Sequence, residues 1–388
     1  MPRSYDAIVV GVGGVGSSAL YHLAKKGLRV LGIEQFDIAH DRGSSHGETR
    51  AIRKAYFEHP DYVPLLHEAY AGWQNIEQEW GKQLLHLAGL IEIGPTDGVL
   101  IPGVRRACAE HDIALESISP SDLRERMPGF ELSEGQEALF ECDGGYLLVE
   151  ECVRAMATMA ERRGANVEWT ERVNAWRPEG SGVAVETDKG TYFAERLVVA
   201  TGAWSVPMLR ELGVECRLLQ KHLHWVEVPG DAYREDRRSP LFFYETDSGY
   251  YYGFPQLVDT SASADYRQEA CIKVAEHSGG QLLADPASND RCVDPSEQKR
   301  VGDFLSQFLP LASRDFTRHA VCMYTMSPDE HFVVDRHPQY EQVCLAAGLS
   351  GHGFKFASVL GKRLADMASS DRDGAHPFPF LSLARFQS

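Results

Sequence analysis

The chain has 388 residues and no Cys-x-x-Cys pair, although it carries eight cysteines, at 108, 142, 152, 216, 271, 292, 322 and 344. Their spacings fit neither zinc ligation nor a compact disulfide framework, so reduced thiols in a cytoplasmic protein are expected. Long hydrophobic runs are missing too, and nothing approaches the roughly 18 apolar residues of a membrane span. A secretory leader is not expected, because Asp6 precedes the first apolar run and glycines interrupt the residues after it. The closing "LARFQS" holds no peroxisomal or retention tripeptide. Positive charge is in short supply: 39 Lys and Arg face 56 Asp and Glu, a formal net charge of −17. That argues against nucleic acid and against an anionic membrane surface, while leaving room for a local basic pocket that a small anion would feel. Low-complexity linkers, internal repeats and heptad runs are absent as well, and a monomer is expected.

What is present is a chain 43% hydrophobic and 24% charged, longer than a single core usually grows. It begins with "YDAIVVGVGGVGSSALYHLAKKGLRVLGIEQFD", which reads as strand, glycine turn, helix and strand. Ala7 to Val10 suits a buried parallel strand, Ser17 to Lys26 a helix closed by "KKG", and Leu28 to Ile33 the second strand. Gly11, Gly13 and Gly16 match G-x-G-x-x-G in that context. Gly11 permits the tight turn, Gly13 the approach of a pyrophosphate, and Gly16 the close packing of helix on strand. The helix N-terminus then offers its unpaired N–H groups to phosphate. Glu34, eighteen residues after Gly16, would accept from ribose hydroxyls and repel a 2′-phosphate. NADP is therefore disfavoured, and FAD and NAD remain open at this point.

Further βα units appear in mid-chain and near the end. A helix over "EECVRAMATMAERRGA" precedes the strands "VEWTERV", "VAVETDKG" and "RLVVATGAW". In the last of these Gly202 allows close approach of backbone to a ligand, or makes an ordinary tight turn. In "LAAGLSGHGFKFASVLGKRLAD" (345–366), Gly348, Gly351 and Gly353 precede a helix whose dipole could stabilise negative charge. Lys355 stands in its first turn, where a cation is unfavourable, which suggests a role elsewhere such as holding a carboxylate. "GSSHGETRAIRKAY" (43–56) suits a loop around a cofactor. Arg50 and Arg53, three apart, could face one way on a helical turn, as a fork for a substrate carboxylate or as a solvated pair. Between these units, 60–85 look helical, 86–145 mix strands with a helix near "VRRACAEH", 218–280 are strand-rich, and 295–310 look helical.

Together "YDAIVVGVGGVGSSALYHLAKKG", "GSSHGETRAIRKAY", "ATGAW", "YYGFP", "AVCMYT…DEHFVVD" and "AAGLSGHGFKF" resemble the monomeric sarcosine oxidase family, which includes N-methyltryptophan oxidase. The resemblance runs in order from about residue 5 to about residue 365. It implies an α/β chain with a Rossmann-type FAD-binding domain (1–85, 146–217 and 320–388) interleaved with a mixed-sheet α+β substrate domain (86–145 and 218–319). It implies FAD joined covalently through Cys322 to the flavin 8α carbon. In the same register Arg53 and Lys355 grip the substrate carboxylate and Lys273 lies near flavin N5, where it promotes oxygen reduction. His277, Tyr324 and Tyr251 match active-site residues, and His46 and Arg50 lie beside the isoalloxazine. Gly11, Gly13, Gly16, Glu34, Ser44, Ser45 and Val173 match contacts to the dinucleotide. A small secondary amino acid and O2 are the implied partners, and H2O2 the implied product.

The substrate side departs from the sarcosine enzymes. Phe243 stands where they carry methionine, and "LLQKHLHWVEV" brings His222, His224 and Trp225. Tyr250, Tyr251 and Tyr252 form a run that strand alternation splits between two faces. These aromatics either narrow the pocket, line a larger one, or pack the strand-rich domain. Sarcosine is the default substrate, with N-methyl aromatic amino acids and cyclic imino acids such as pipecolate as rivals. A dehydrogenase passing electrons to a carrier and a non-catalytic flavoprotein are the other readings.

Overall fold

A computed structural model describes residues 4–257, 270–370 and 378–386. The part of the strand-rich expectation that covers 258–269 lies outside them. The opening unit folds as its pattern requires. The strand Ser4–Val10 runs parallel to Val30–Ile33 and to Thr191–Val199, and the latter pairs in parallel with Val343–Ala347. Their carboxyl-terminal halves, buried on both faces, are mostly Val, Ile, Leu and Ala. They belong to an eight-stranded sheet that Asn166–Glu168, Val173–Glu179, Gly182–Thr187 and Val333–Arg336 complete. The helix Gly14–Lys25 is buried nearly all round, between that sheet and the helices Val149–Arg162 and Ala357–Ala368. The helices approach so closely that a Cβ on Gly361 would meet Ser18 at 2.3 Å.

A second sheet of nine strands runs in the order Gln281–Leu282, Arg217–Glu227, Cys271–Glu276, Gly249–Phe254, Leu241–Thr246, Leu90–Pro95, Gln136–Glu141, Glu116–Ile118. Phe316–Met326 pairs along Arg217–Glu227 as its ninth member. The amphipathic helix Pro295–Phe308 closes one face, its Val301, Phe304, Leu305 and Phe308 packing on Tyr244, Tyr251, Ile272 and Val274. The opposite face presents Phe243 and Tyr252 to the large cavity. A small antiparallel sheet of Thr49–Ile52, Gly145–Leu148 and Leu85–His86 makes a third.

Four expectations change. Arg50 lies on the strand Thr49–Ile52, with Arg53 just beyond its end, so the arginines are not on a helical turn. "VEWTERV" is two strands, because Asn166–Glu168 ends in a turn with Thr170 at φ +55° and the next strand begins at Val173. The closing helix is preceded by a 3-10 turn, Phe354–Phe356, which holds Lys355. Cys322 sits in mid-strand in the second sheet, so a division at 320 cuts through Phe316–Met326.

Candidate active site

One cavity of about 1020 Å³ extends from the carboxyl ends of the parallel strands to the inner face of the second sheet. That is where open α/β sheets take ligands. At one end stand Gly11, Gly13, Glu34, Val173 and Gly202. Gly11 has φ +85°, and a Cβ there would lie 2.6 Å from the Ala200 carbonyl oxygen. A Cβ on Gly16 would lie 1.8 Å from the carbonyl oxygen of Gly11, so the helix can only start this close with glycine. At Gly13, by contrast, the nearest atom is Ser45 Oγ at 3.6 Å, which leaves that side open to a ligand. The Glu34 carboxylate accepts from Val12 N (2.8 Å) and Phe36 N (3.1 Å), fixed at the cavity edge. Ser45 Oγ accepts from Gly14 N at 3.1 Å, and Ser44 donates to the Met323 carbonyl at 2.6 Å. Ser44 thus ties the glycine-loop end of the cavity to the strand bearing Cys322. A strand-end glycine cradle, a fixed carboxylate and a long cleft together fit a dinucleotide.

Farther in, Cys322 lines the wall, buried, with Arg50 Nη2 3.4 Å from its sulfur. Arg50 is itself held by the carbonyls of Ser44 and Thr49 at 3.0 and 2.9 Å. Gly351 and Gly353 face the same space. Gly351 has φ +81°, and a Cβ there would meet the Tyr324 ring at 2.4 Å.

Arg53 and Lys355 also line the cavity, and both are buried. Rings of Tyr56, Phe57 and Phe243 surround the Arg53 guanidinium at 4.9, 4.9 and 5.4 Å. Its Nη2 is bonded to both oxygens of Glu58, at 2.7 and 2.8 Å. Lys355 Nζ donates to the His352 carbonyl at 2.9 Å, while Trp73 Nε1 holds the Lys355 carbonyl at 2.8 Å. Burial first, and the Arg53 charge second, push Lys355 down to about 7. His277 Nδ1 lies 3.3 Å from Tyr324 Oη. Burial, then Lys221, bring His277 down to about 3, so its ring is neutral at physiological pH.

Three expected residues lie elsewhere. Tyr251 is the correction among them, because it points away from the cavity and stacks on Phe304 at 4.4 Å. Its neighbour Tyr252 lines the cavity beside Tyr324. Lys273 stands behind the wall, donating to the carbonyls of Gly47 and Thr49 at 2.7 Å each, with its ammonium 4.1 Å from the Phe254 ring centroid. His46 is buried in that same loop, held down to about 3 by burial and Arg50. His222 and His224 turn from the cavity toward Glu297 and His319, and Trp225 toward Glu48. The sequence reasoning missed Glu58, His352 and Tyr252. His352 sits inside the segment "SGHGFKF", and Tyr252 is the alternate member of the tyrosine run; nothing around Glu58 marks it. Lys221 was missed as well: it faces Cys322 across the strand pair, gives its ammonium to the carbonyls of His277, Ser278 and Gly279, and is brought to about 8 by burial.

Residues 6–367 match the family described as FAD dependent oxidoreductase. The chain belongs to that family. It is 36% identical over 380 residues to monomeric sarcosine oxidase of Streptomyces avermitilis, covering 97% of this chain and 96% of that protein. It is 35% identical over 385 residues to N-methyl-L-tryptophan oxidase of Yersinia pestis, covering 99% and 100%. Among solved structures, NikD, an unusual amino acid oxidase essential for nikkomycin biosynthesis, superposes with a TM-score of 0.84 at 25% identity, covering 98% of this chain and 97% of that one. The protein is an FAD-dependent oxidoreductase, and the glycine cradle and cleft are where its residues fit the cofactor. No helix among the described residues is long and apolar enough to cross a membrane.

Proposed function

We propose that this protein oxidises the C–N bond of a secondary amino acid and passes the electrons to O2, with its FAD held covalently through Cys322. The observation that carries the reading is the convergence of Arg53, Lys355, His277, Tyr324 and Cys322 on one cavity. FAD, when bound, supplies the electron sink for the amine. Arg53 and Lys355 bind the carboxylate, Glu58 vacating the guanidinium as the substrate enters, and so orient the reacting C–H. Neutral His277 and Tyr324 border the amine without adding a competing positive charge. Arg50, 3.4 Å from the Cys322 sulfur, would give that sulfur a cationic neighbour that favours its thiolate where it holds the flavin. Lys273 is the cation that aids electron transfer to oxygen. The working protein is a monomer of two interleaved domains, with the 320 boundary moved to the start of Phe316–Met326. Its setting is the cytoplasm.

A ring-bearing substrate is the second reading, supported by the aromatic wall. Phe243, Tyr252 and Tyr324 line the cavity around His277, with ring centroids 5.6, 6.1 and 5.6 Å from its imidazole. Anaerobic bleaching of the flavin with sarcosine, N-methyltryptophan and pipecolate tests both. Bleaching by sarcosine alone favours a small pocket, and bleaching by a cyclic or aromatic substrate alone favours the wall as a stacking surface. If none of the three bleaches it, the amine-oxidase reading fails. The covalent link has its own check: acid precipitation leaves yellow colour in the wild-type pellet, and Cys322→Ser moves it to the supernatant.

A further inference from the structure

Beneath Arg53 lies a carboxyl group that the proposed reaction does not use. Glu92, on the strand Leu90–Pro95 and in register with Phe243, is fully buried. Among the described residues neither of its oxygens has a hydrogen-bond partner, and neither does Nε of Arg53, which stands 3.6 Å from Oε1. That separation is too long for a hydrogen bond. On its other side the same guanidinium serves both oxygens of Glu58.

Charge counting decides the state of Glu92. With Glu58 ionised, or with a substrate carboxylate in its place, Arg53 is already neutralised. An ionised Glu92 would add a second negative charge in a buried space, at a cost of several kcal/mol. The other groups facing it do not relieve this. From Gln136–Glu141 comes another carboxyl, Glu141, occupied by the backbone N–H groups of Lys54 and Ala55. From the helix Leu100–His111 comes Cys108, a thiol that burial and these carboxyls hold up at about 12. Leu241–Thr246 offers uncharged Phe243, and Tyr56 packs over the guanidinium. Burial accordingly holds the Glu92 carboxyl well above the usual carboxylate range, against the pull of Arg53 and with Glu141 and Glu58 adding to the rise.

We propose that Glu92 is a positioning residue of the carboxylate clamp: as an uncharged acid it leaves the Arg53 charge to the substrate, and once ionised it competes with the substrate for that charge. This rests on the reading of Arg53 as the carboxylate holder. The consequence is an upper pH limit on substrate binding that Glu92, not the substrate, imposes. Lys355 adds a separate limb near pH 7, where it loses its proton.

The test titrates the holoenzyme with propionate, and with propionamide as the uncharged control, following the flavin absorbance from acid to alkaline pH. Wild type loses propionate affinity in two limbs, the Glu92 limb steepening the fall by up to about tenfold per pH unit. Glu92→Gln retains only the Lys355 limb, and propionamide shows neither. Superimposable profiles for wild type and Glu92→Gln overturn the inference while leaving the clamp intact. If propionate perturbs the flavin at no pH, the clamp reading itself falls and takes the inference with it. Should Glu92→Gln fail to fold, the wild-type infrared spectrum decides. A protonated-carboxyl band at neutral pH that shifts on adding propionate supports the proposal, and no propionate-sensitive band overturns it.

Discussion

Lys355 is held in two conflicting ways. Its ammonium has a carbonyl to bind, yet it is buried among Tyr56 and Phe356 beside a second cation. The folded value of about 7 lies far below the ordinary 10.5. The unfolded chain therefore binds a proton that the folded chain lacks at pH values between these two. The stability cost is absent above the unfolded value, grows as pH falls toward 7, and is complete below it, at about 1.4 kcal/mol for each pH unit between the two values. Lys355→Met should remove that cost and raise the thermal midpoint at neutral pH. The same change should raise KM about 10- to 100-fold by deleting a charge-assisted hydrogen bond to the substrate. A midpoint that falls on substitution would show that the ammonium is better satisfied than its one carbonyl suggests. The local clue was legible in the sequence, since a lysine ahead of a helix opposes the helix dipole. The burial that gives the clue its force was not.

Strand alternation separates the tyrosine run. Tyr252 and Phe243, paired across Gly249–Phe254 and Leu241–Thr246, face the cavity, while Tyr244 and Tyr251 face the helix Pro295–Phe308. Period-two logic says that the run must divide, but it cannot say which half is inside until the covering helix is placed. The resemblance matches Tyr251 to an active-site tyrosine, and the covering helix places that half of the run outside the cavity. Tyr251→Ala should cost about 3–5 kcal/mol, as large-to-small core changes do, and leave the bleaching rate of the folded fraction unchanged. Tyr252→Phe should cost little stability and slow bleaching up to about tenfold, by removing a hydroxyl that lines the cavity. The reverse pattern would place Tyr251 back in the cavity. Arg50 shows a similar limit: spacing by three suggested a helical turn, whereas pairing with Gly145–Leu148, far away in sequence, makes the segment a strand. The glycine cradle needed no such partner. Its Cβ clashes are with near neighbours and with one strand end, so it could be read directly.

At the scale of the molecule, the candidate site exists only where the two large sheets meet, and Lys273 bridges that junction. It rises from Cys271–Glu276 in the second sheet and binds the carbonyls of Gly47 and Thr49, in the segment that leads from the first sheet to Arg50 and Arg53. Under the proposed function it would have two separable duties, tethering the loop that carries the arginines and supplying a cation for oxygen reduction. Burial and Arg50 push its pKa well down, while Glu48 and Glu150 oppose the fall. If the cation matters to oxygen, Lys273→Met should slow reoxidation by O2 about 100- to 1000-fold, the scale of losing one fixed charge-stabilising group, with anaerobic bleaching changed by only a few-fold. Stopped-flow measurement of the two half-reactions separates the duties. If bleaching and reoxidation fall together, tethering is the main role, because misplaced arginines would hinder substrate before oxygen is involved. If only reoxidation falls, the residue joining the two sheets is also what makes this flavoprotein an oxidase and not a dehydrogenase serving a carrier.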